Sequence, residues 1–221
     1  MSKNKEAKRK AKKKALKTMS AKIEQARAAH VAEAIMDICR PWEVMFRREK
    51  DLLNAFYILW SLGVEAWNCA VNGWLEPEFD EDDSLSEEEK DFNYVVACTL
   101  ILQKFRMYPN LSVEVSDFSV KMVSGKPRLK VELGISIPLD EIPIPPEKLN
   151  FRATPQQIFE EELRKGGSAA TLASFVNEPE ETILAWLEGK VQLEKDKEEL
   201  LHLSVETPRV LFEGYEEEHP L

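Results

Sequence analysis

The chain has 221 residues, of which 43% are hydrophobic, so it can bury a sizeable core in one or two domains and is not disordered throughout. Its net charge of −10 conceals a strong asymmetry: residues 1–22 carry +9, which leaves −19 over residues 23–221. An acidic body with a basic arm is the electrostatic description that matters for partners.

Residues 1–19 are a low-complexity Lys/Ala segment. Lysine and alanine favour helix, but like charges in successive turns repel, and the segment reads as a frayed, flexible basic arm. The amino-terminal stretch lacks the apolar region that follows the basic residues of a secretory signal, so no such signal is expected. Ser20 is placed to cap an amphipathic helix in which Ile23, Ala26, Ala29 or His30, Ala34 and Ile38 recur at helical spacing. Pro41 ends or kinks that helix.

A second, aromatic-rich helix is predicted from Pro41 or Trp42 to Asn72, with a bend near Gly63, a stop at Gly73 and a central place in the amino-terminal core. Its apolar run Leu52–Trp74 is about as long as a membrane span. Asn54, Glu65, Asn68 and Asn72 interrupt it, and Glu65 near its middle would be costly in lipid, so a buried helix is expected. An acidic loop, Glu76–Glu89, leads into a third helix opened by a capping box at Ser86 and Glu89 and closed by Pro109.

The period then changes from helical to alternating. Leu129, Val131, Leu133, Ile135 and Ile137 define one strand. Val113 and Val115, then Phe118, Val120 and Met122 on the other parity, define its neighbour with a bulge near Ser116–Asp117. Residues 111–137 are therefore a hairpin turning at Ser124–Pro127, which must pack on the helices or pair with another chain. Residues 138–150, with Pro138, Pro143, Pro145 and Pro146, read as a semi-rigid linker.

The last predicted unit opens at Thr154-Pro155-Gln156-Gln157 with a cap, a proline in the first turn and a capping glutamine. Gly166-Gly167 ends that helix, Ser168 caps the next, Asn177 sits at a tight turn, and Gly189 ends the third. Asp196–Leu203 reads as a fourth helix, followed by an acidic tail over 206–221. The expected class is mainly α (α+β). The domain plan is a basic arm (1–19), a helical domain with a β-hairpin (20–137), a linker (138–150), a small helical domain (151–205) and the tail.

Residues 155–203 resemble a helix-turn-helix domain of the Cro/repressor type. The resemblance rests on Leu172-Ala173, Val176, Asn177, Ile183, Trp186 and Glu188-Gly189-Lys190; Asn177 replaces the family's turn glycine, and Glu178 stands where the family buries an aliphatic side chain. It implies that Leu172, Val176, Ile183 and Trp186 form a core. It also implies that Pro179, Glu180, Glu181, Leu184, Ala185 and Glu188 occupy the positions from which relatives read DNA. None of these neutralises phosphate, and three add negative charge against a duplex that is already strongly negative. Glu180, Glu181, Leu184 and Glu188 are accordingly assigned to a protein partner.

Lys8, Arg9, Lys10, Lys12, Lys13 and Lys14 are the candidate nucleic-acid contacts, through backbone charge and without aromatic stacking. A solvated arm, or one docked on its own acidic loop, is the alternative reading. Cys39, Cys69 and Cys98 have no metal or redox spacing and point to a reducing compartment, the cytoplasm. Glu199 and His202 have ExxH spacing without the second pair that a di-iron centre needs. No catalytic, cofactor or metal residue is nominated. The expected function is a noncatalytic cytoplasmic binding or regulatory protein presenting an acidic helix to a protein partner, with a homodimer plausible from the open hairpin edge. The alternative is a DNA-associated transcriptional regulator that draws its affinity from the arm.

Overall fold

The computed structural model describes residues 2–47, 49–74, 77, 85–136, 149 and 151–211, with the backbone alone at 2–13, 15 and 211. The protein is mostly helical with one two-stranded antiparallel hairpin, as the sequence leads one to expect. The acidic loop 76–89 falls within the described residues only at Pro77 and from Leu85 onward. The linker 138–150 does so only at Leu149, and the chain beyond Leu211 lies outside them.

Helix α1 spans Ser2–Cys39, so its helical backbone includes the segment read as a frayed arm, and Ser20 is an interior residue, not a cap. Lysine and alanine are among the strongest helix formers, while exposed like-charge pairs cost only a few tenths of a kcal/mol each and are screened by salt. Its last turns bury Val31, Ala34, Ile35 and Ile38 on one face. A 3-10 turn, Arg40–Trp42, with Pro41 in it, and a single helical turn, Glu43–Phe46, follow.

The expected long second helix is interrupted between Phe46 and Leu52, and α2 covers Leu52–Val71. The sequence Arg47-Arg48-Glu49-Lys50-Asp51 has nothing to bury, and the Asp51 side chain accepts from the Asn54 amide at 3.2 Å, which starts a new helix. Gly63 does not end or break α2. A Cβ there would stand 2.5 Å from Cys39 Sγ and 3.1 Å from Ile35 Cγ2, so the glycine permits close approach of α1 and α2. Gly73, at φ 76°, ends the helix, and the Trp74 amide bonds the Cys69 carbonyl at 2.8 Å.

Helix α3, Glu87–Met107, begins with the Ser86/Glu89 capping box. Every residue from Val96 to Phe105 is buried, so the second half of α3 shares with α2 the central place expected for α2 alone. Strands β1 (Val113–Val123) and β2 (Lys126–Ser136) meet at Ser124 and Gly125, both at positive φ, as a two-residue hairpin turn requires. The register slips between Val115 and Asp117, where the parity change placed a bulge. The hairpin is fastened to α2. Asn68 pairs its amide group with the Val115 backbone, donating and accepting at 2.9 Å, and Trp67 Nε1 donates to the Val113 carbonyl at 2.8 Å. Two of the polar residues that break the apolar run of α2 thus face the hairpin, since Asn72 also donates to Glu114.

Four helices complete the described chain: α4 (Pro155–Arg164), α5 (Ala169–Val176), α6 (Glu180–Leu187) and α7 (Lys195–Leu211). Thr154 and Gln157 form the expected capping box, and Asn177 takes the left-handed conformation, φ 56° and ψ 52°. Leu172, Ala173, Val176, Ile183 and Trp186 are all buried. Helix α7 runs eight residues past the predicted end at Leu203, and Glu206, Thr207 and Val210, assigned from sequence to a solvated tail, are buried. The buried apolar residues of α4–α7 join those of α1–α3 and the hairpin in one cluster. No helix among the described residues is long and apolar enough to cross a membrane.

Candidate functional site

The face of α6 is set by its two ends. Pro179, in extended conformation, starts the helix and offers its carbonyl to the Thr182 amide at 3.0 Å. Gly189 at φ 71° ends it, with the Lys190 amide bonded to the Ala185 carbonyl at 2.8 Å. Gln156 of α4 donates to the Leu187 carbonyl at 2.8 Å. Ile183 and Trp186 then point inward, and Trp186 Nε1 reaches Glu198 of α7 at 3.4 Å.

The outward face carries the four residues assigned to a partner. Glu180, Glu181 and Glu188 are exposed, and Leu184 is 44% exposed. Glu188 pairs with Lys190, whereas Glu180 and Glu181 make no ion pair among the described residues. Their carboxylates lie in the first turn, where the helix dipole favours negative charge. Glu178, at a position where the resemblance calls for an aliphatic side chain, is half-buried and paired with Lys197 of α7, which accounts for its tolerance there.

The orientation of this face relative to the rest of the protein is fixed by contacts the sequence reading did not foresee. Phe175 of α5 meets Trp42 edge to face with centroids 5.9 Å apart, and Trp42 Nε1 donates to Thr99 of α3 at 2.7 Å. Arg106 of α3 donates to the Leu149 and Phe151 carbonyls at 3.1 and 2.8 Å and pairs with Glu206 of α7. The Glu206 carboxylate is fully buried and also accepts from the Ala153 amide at 2.9 Å. Arg152 bridges Glu206 and Glu199, and Gln103 of α3 donates to Glu199 at 2.9 Å.

Glu199 and His202, the ExxH pair, are therefore members of this network: His202 Nδ1 lies 3.3 Å from Glu206. Among the described residues no three His, Cys, Asp or Glu side chains gather as a metal site. The three cysteines are buried, and burial pushes the Cys39 thiol well above its usual range. One further charge lies inside: Lys104 of α3 is fully buried, its Nζ has no hydrogen-bond partner, and it stands 5.6 Å from the Trp67 ring and 5.2 Å from the Phe105 ring.

Of the six basic candidates, Lys14 is exposed on α1, and Lys8, Arg9, Lys10, Lys12 and Lys13 are placed by backbone on the same helix. The structure does not bring them to the α6 face: among the described residues α1 packs mainly on α2, α3, the 3-10 turn and β2. The continuation of apolar spacing through Leu200, Leu203 and Val210 was the signal that could have carried α7 past Leu203 and brought Glu206 into the core. Comparison with protein-family models, with curated proteins and with solved structures finds no match to this chain.

Proposed function

We propose that the protein is a noncatalytic cytoplasmic binding or regulatory protein whose partner-binding face is the outer side of α6. One observation carries this reading: Glu180, Glu181, Leu184 and Glu188 share the exposed side of a helix whose opposite side is locked into the core. Two carboxylates without ion-pair partners among the described residues, beside a half-exposed leucine, suit a protein surface with basic residues around an apolar contact. They oppose entry into a nucleic-acid groove, because no side chain on this face neutralises phosphate. The test is affinity capture from nuclease-treated lysate with the wild-type chain and with Glu180→Lys/Glu181→Lys. The reading expects a captured protein that the double reversal loses while the thermal unfolding midpoint is retained. Capture indifferent to the reversal counts against it.

A second reading, a DNA-associated regulator, draws support from α1. The basic residues 8–14 belong to one helical backbone, and Lys14 is exposed on it. It expects retention on duplex DNA at low salt, weakened steeply by added salt and lost when the lysines of residues 8–14 become Gln. Binding that survives those substitutions rules out the arm as its source.

A further inference from the structure

A groove of about 890 Å³ opens between Met45, Phe46, Glu49 and Asp51, helix α2 and the start of α3. Its apolar lining is Phe46, Ala55, Ile58, Leu62 and Phe92, with Asn54, Ser61 and Asn93 among them. Its rim carries Glu49, Asp51, Glu88 and Glu89, and among the described residues no lysine, arginine or histidine lines it. Such a groove suits an amphipathic helix with a short apolar stripe and cationic flanks.

The chain itself contains that element. Leu16, Met19 and Ile23 of α1 are 58%, 61% and 51% exposed. At about 100° per residue they fall within one narrow stripe, with Lys17 and Lys22 on opposite sides of it and Lys14 behind. The stripe does not reach the groove of its own molecule. Leu16, Met19 and Ile23 are each more than half exposed, and none of them lines it.

We propose that the Lys14–Ile23 segment of α1 docks in the Phe46/Ile58/Phe92 groove of a second copy of this chain, so that the protein self-associates through its basic helix. Complementary charge selects this occupant: the charged residues lining the groove are all acidic among those described, and the segment brings lysines flanking three exposed apolar side chains. Docking removes Leu16, Met19 and Ile23 from water and places Lys17 and Lys22 against the rim. The association is weakened by salt, because the rim charges are exposed.

Sedimentation equilibrium on the full-length protein tests this with surface substitutions on each side. Lys17→Glu/Lys22→Glu on the helix, and separately Glu49→Lys/Glu88→Lys on the groove, are each expected to weaken self-association by about tenfold or more. Ile58→Glu, in the groove lining, is expected to do the same. Mixing the two charge-reversed chains restores association, because the acidic helix then meets a basic groove. The proposal is overturned by a wild-type chain that stays monomeric at about 100 µM. It is equally overturned by groove substitutions without effect, which would leave the helices pairing with each other, or by a mixture no more associated than its components.

Discussion

Arg106 and Glu206, 100 positions apart, form an ion pair in which the carboxylate is fully buried and the guanidinium nearly so. The arginine simultaneously holds the Leu149 and Phe151 carbonyls, so one side chain ties α3, the segment leading into α4, and α7. Removing one member of such a set leaves the other charge buried without compensation. Glu206→Ala is expected to cost about 3–5 kcal/mol in urea unfolding.

Burial alone would raise the Glu206 pKa, but His202, Arg106 and the Ala153 amide favour the carboxylate and hold it down at about 2. A depressed folded value means that the unfolded chain takes up the proton first as pH falls. The stabilisation is therefore full above the unfolded value near 4.3 and is lost progressively as the pH falls toward 2. The urea midpoint of the wild type should drop across that window, and the part of the drop due to this group should be absent in Glu206→Gln.

Lys104 has the opposite sign. Burial lowers its pKa from the usual range to about 8, so the folded protein binds its proton less tightly than the unfolded chain does. Between about pH 8 and the unfolded value near 10.4, stability contributed by this site rises with pH. Lys104→Met removes an amine that has no hydrogen-bond partner while keeping the volume. The variant is expected to be more stable by about 1–3 kcal/mol at pH 7, with its advantage shrinking toward pH 10. Denaturant midpoints of both chains at the two pH values check this.

Gly63→Ala separates helix propensity from packing. Alanine favours a helix interior by about 1 kcal/mol, yet its Cβ would lie 2.5 Å from Cys39 Sγ. Packing wins, and the substitution is expected to destabilise by about 1–3 kcal/mol. Adding Cys39→Ala removes the sulfur and should recover part of that loss. Two costs that simply add in the double-mutant cycle would show that the two residues are not in contact.

Trp186 is 4% exposed on the inner side of α6, so Trp186→Ala should cost about 3–5 kcal/mol. Asn177→Ala, at a left-handed position, is expected to cost about 1 kcal/mol, whereas Asn177→Gly should be near neutral. Thermal unfolding of the three variants ranks them.

Local signals in the sequence translated well into structure. The Ser86 and Thr154 capping boxes, the glycine stops at 73 and 189, the parity change at Ser116–Asp117 and the buried set from Leu172 to Trp186 all depend on interactions within a few residues. What was not legible is long-range. Helix α1 runs through residues 2–19 because intrinsic propensity exceeds screened repulsion, a balance that a charge count does not reveal. Glu206 read as tail because nothing in the sequence beside it marks its partner, and Arg106 is too distant in sequence to supply that mark. The α6 residues were identifiable individually, but their shared exposed face depends on how α4 and α7 grip that helix.

A photocrosslinking amino acid at position 184, in the middle of the exposed α6 face, tests the proposed function most directly. With one at Glu132 on the hairpin as the control, irradiation in cells is expected to give a protein adduct at 184 alone. That adduct should resist nuclease and disappear when Glu180→Lys/Glu181→Lys is added. An adduct at 184 that nuclease removes, or no adduct at 184 in cells where the protein is folded, contradicts a protein-binding face on α6.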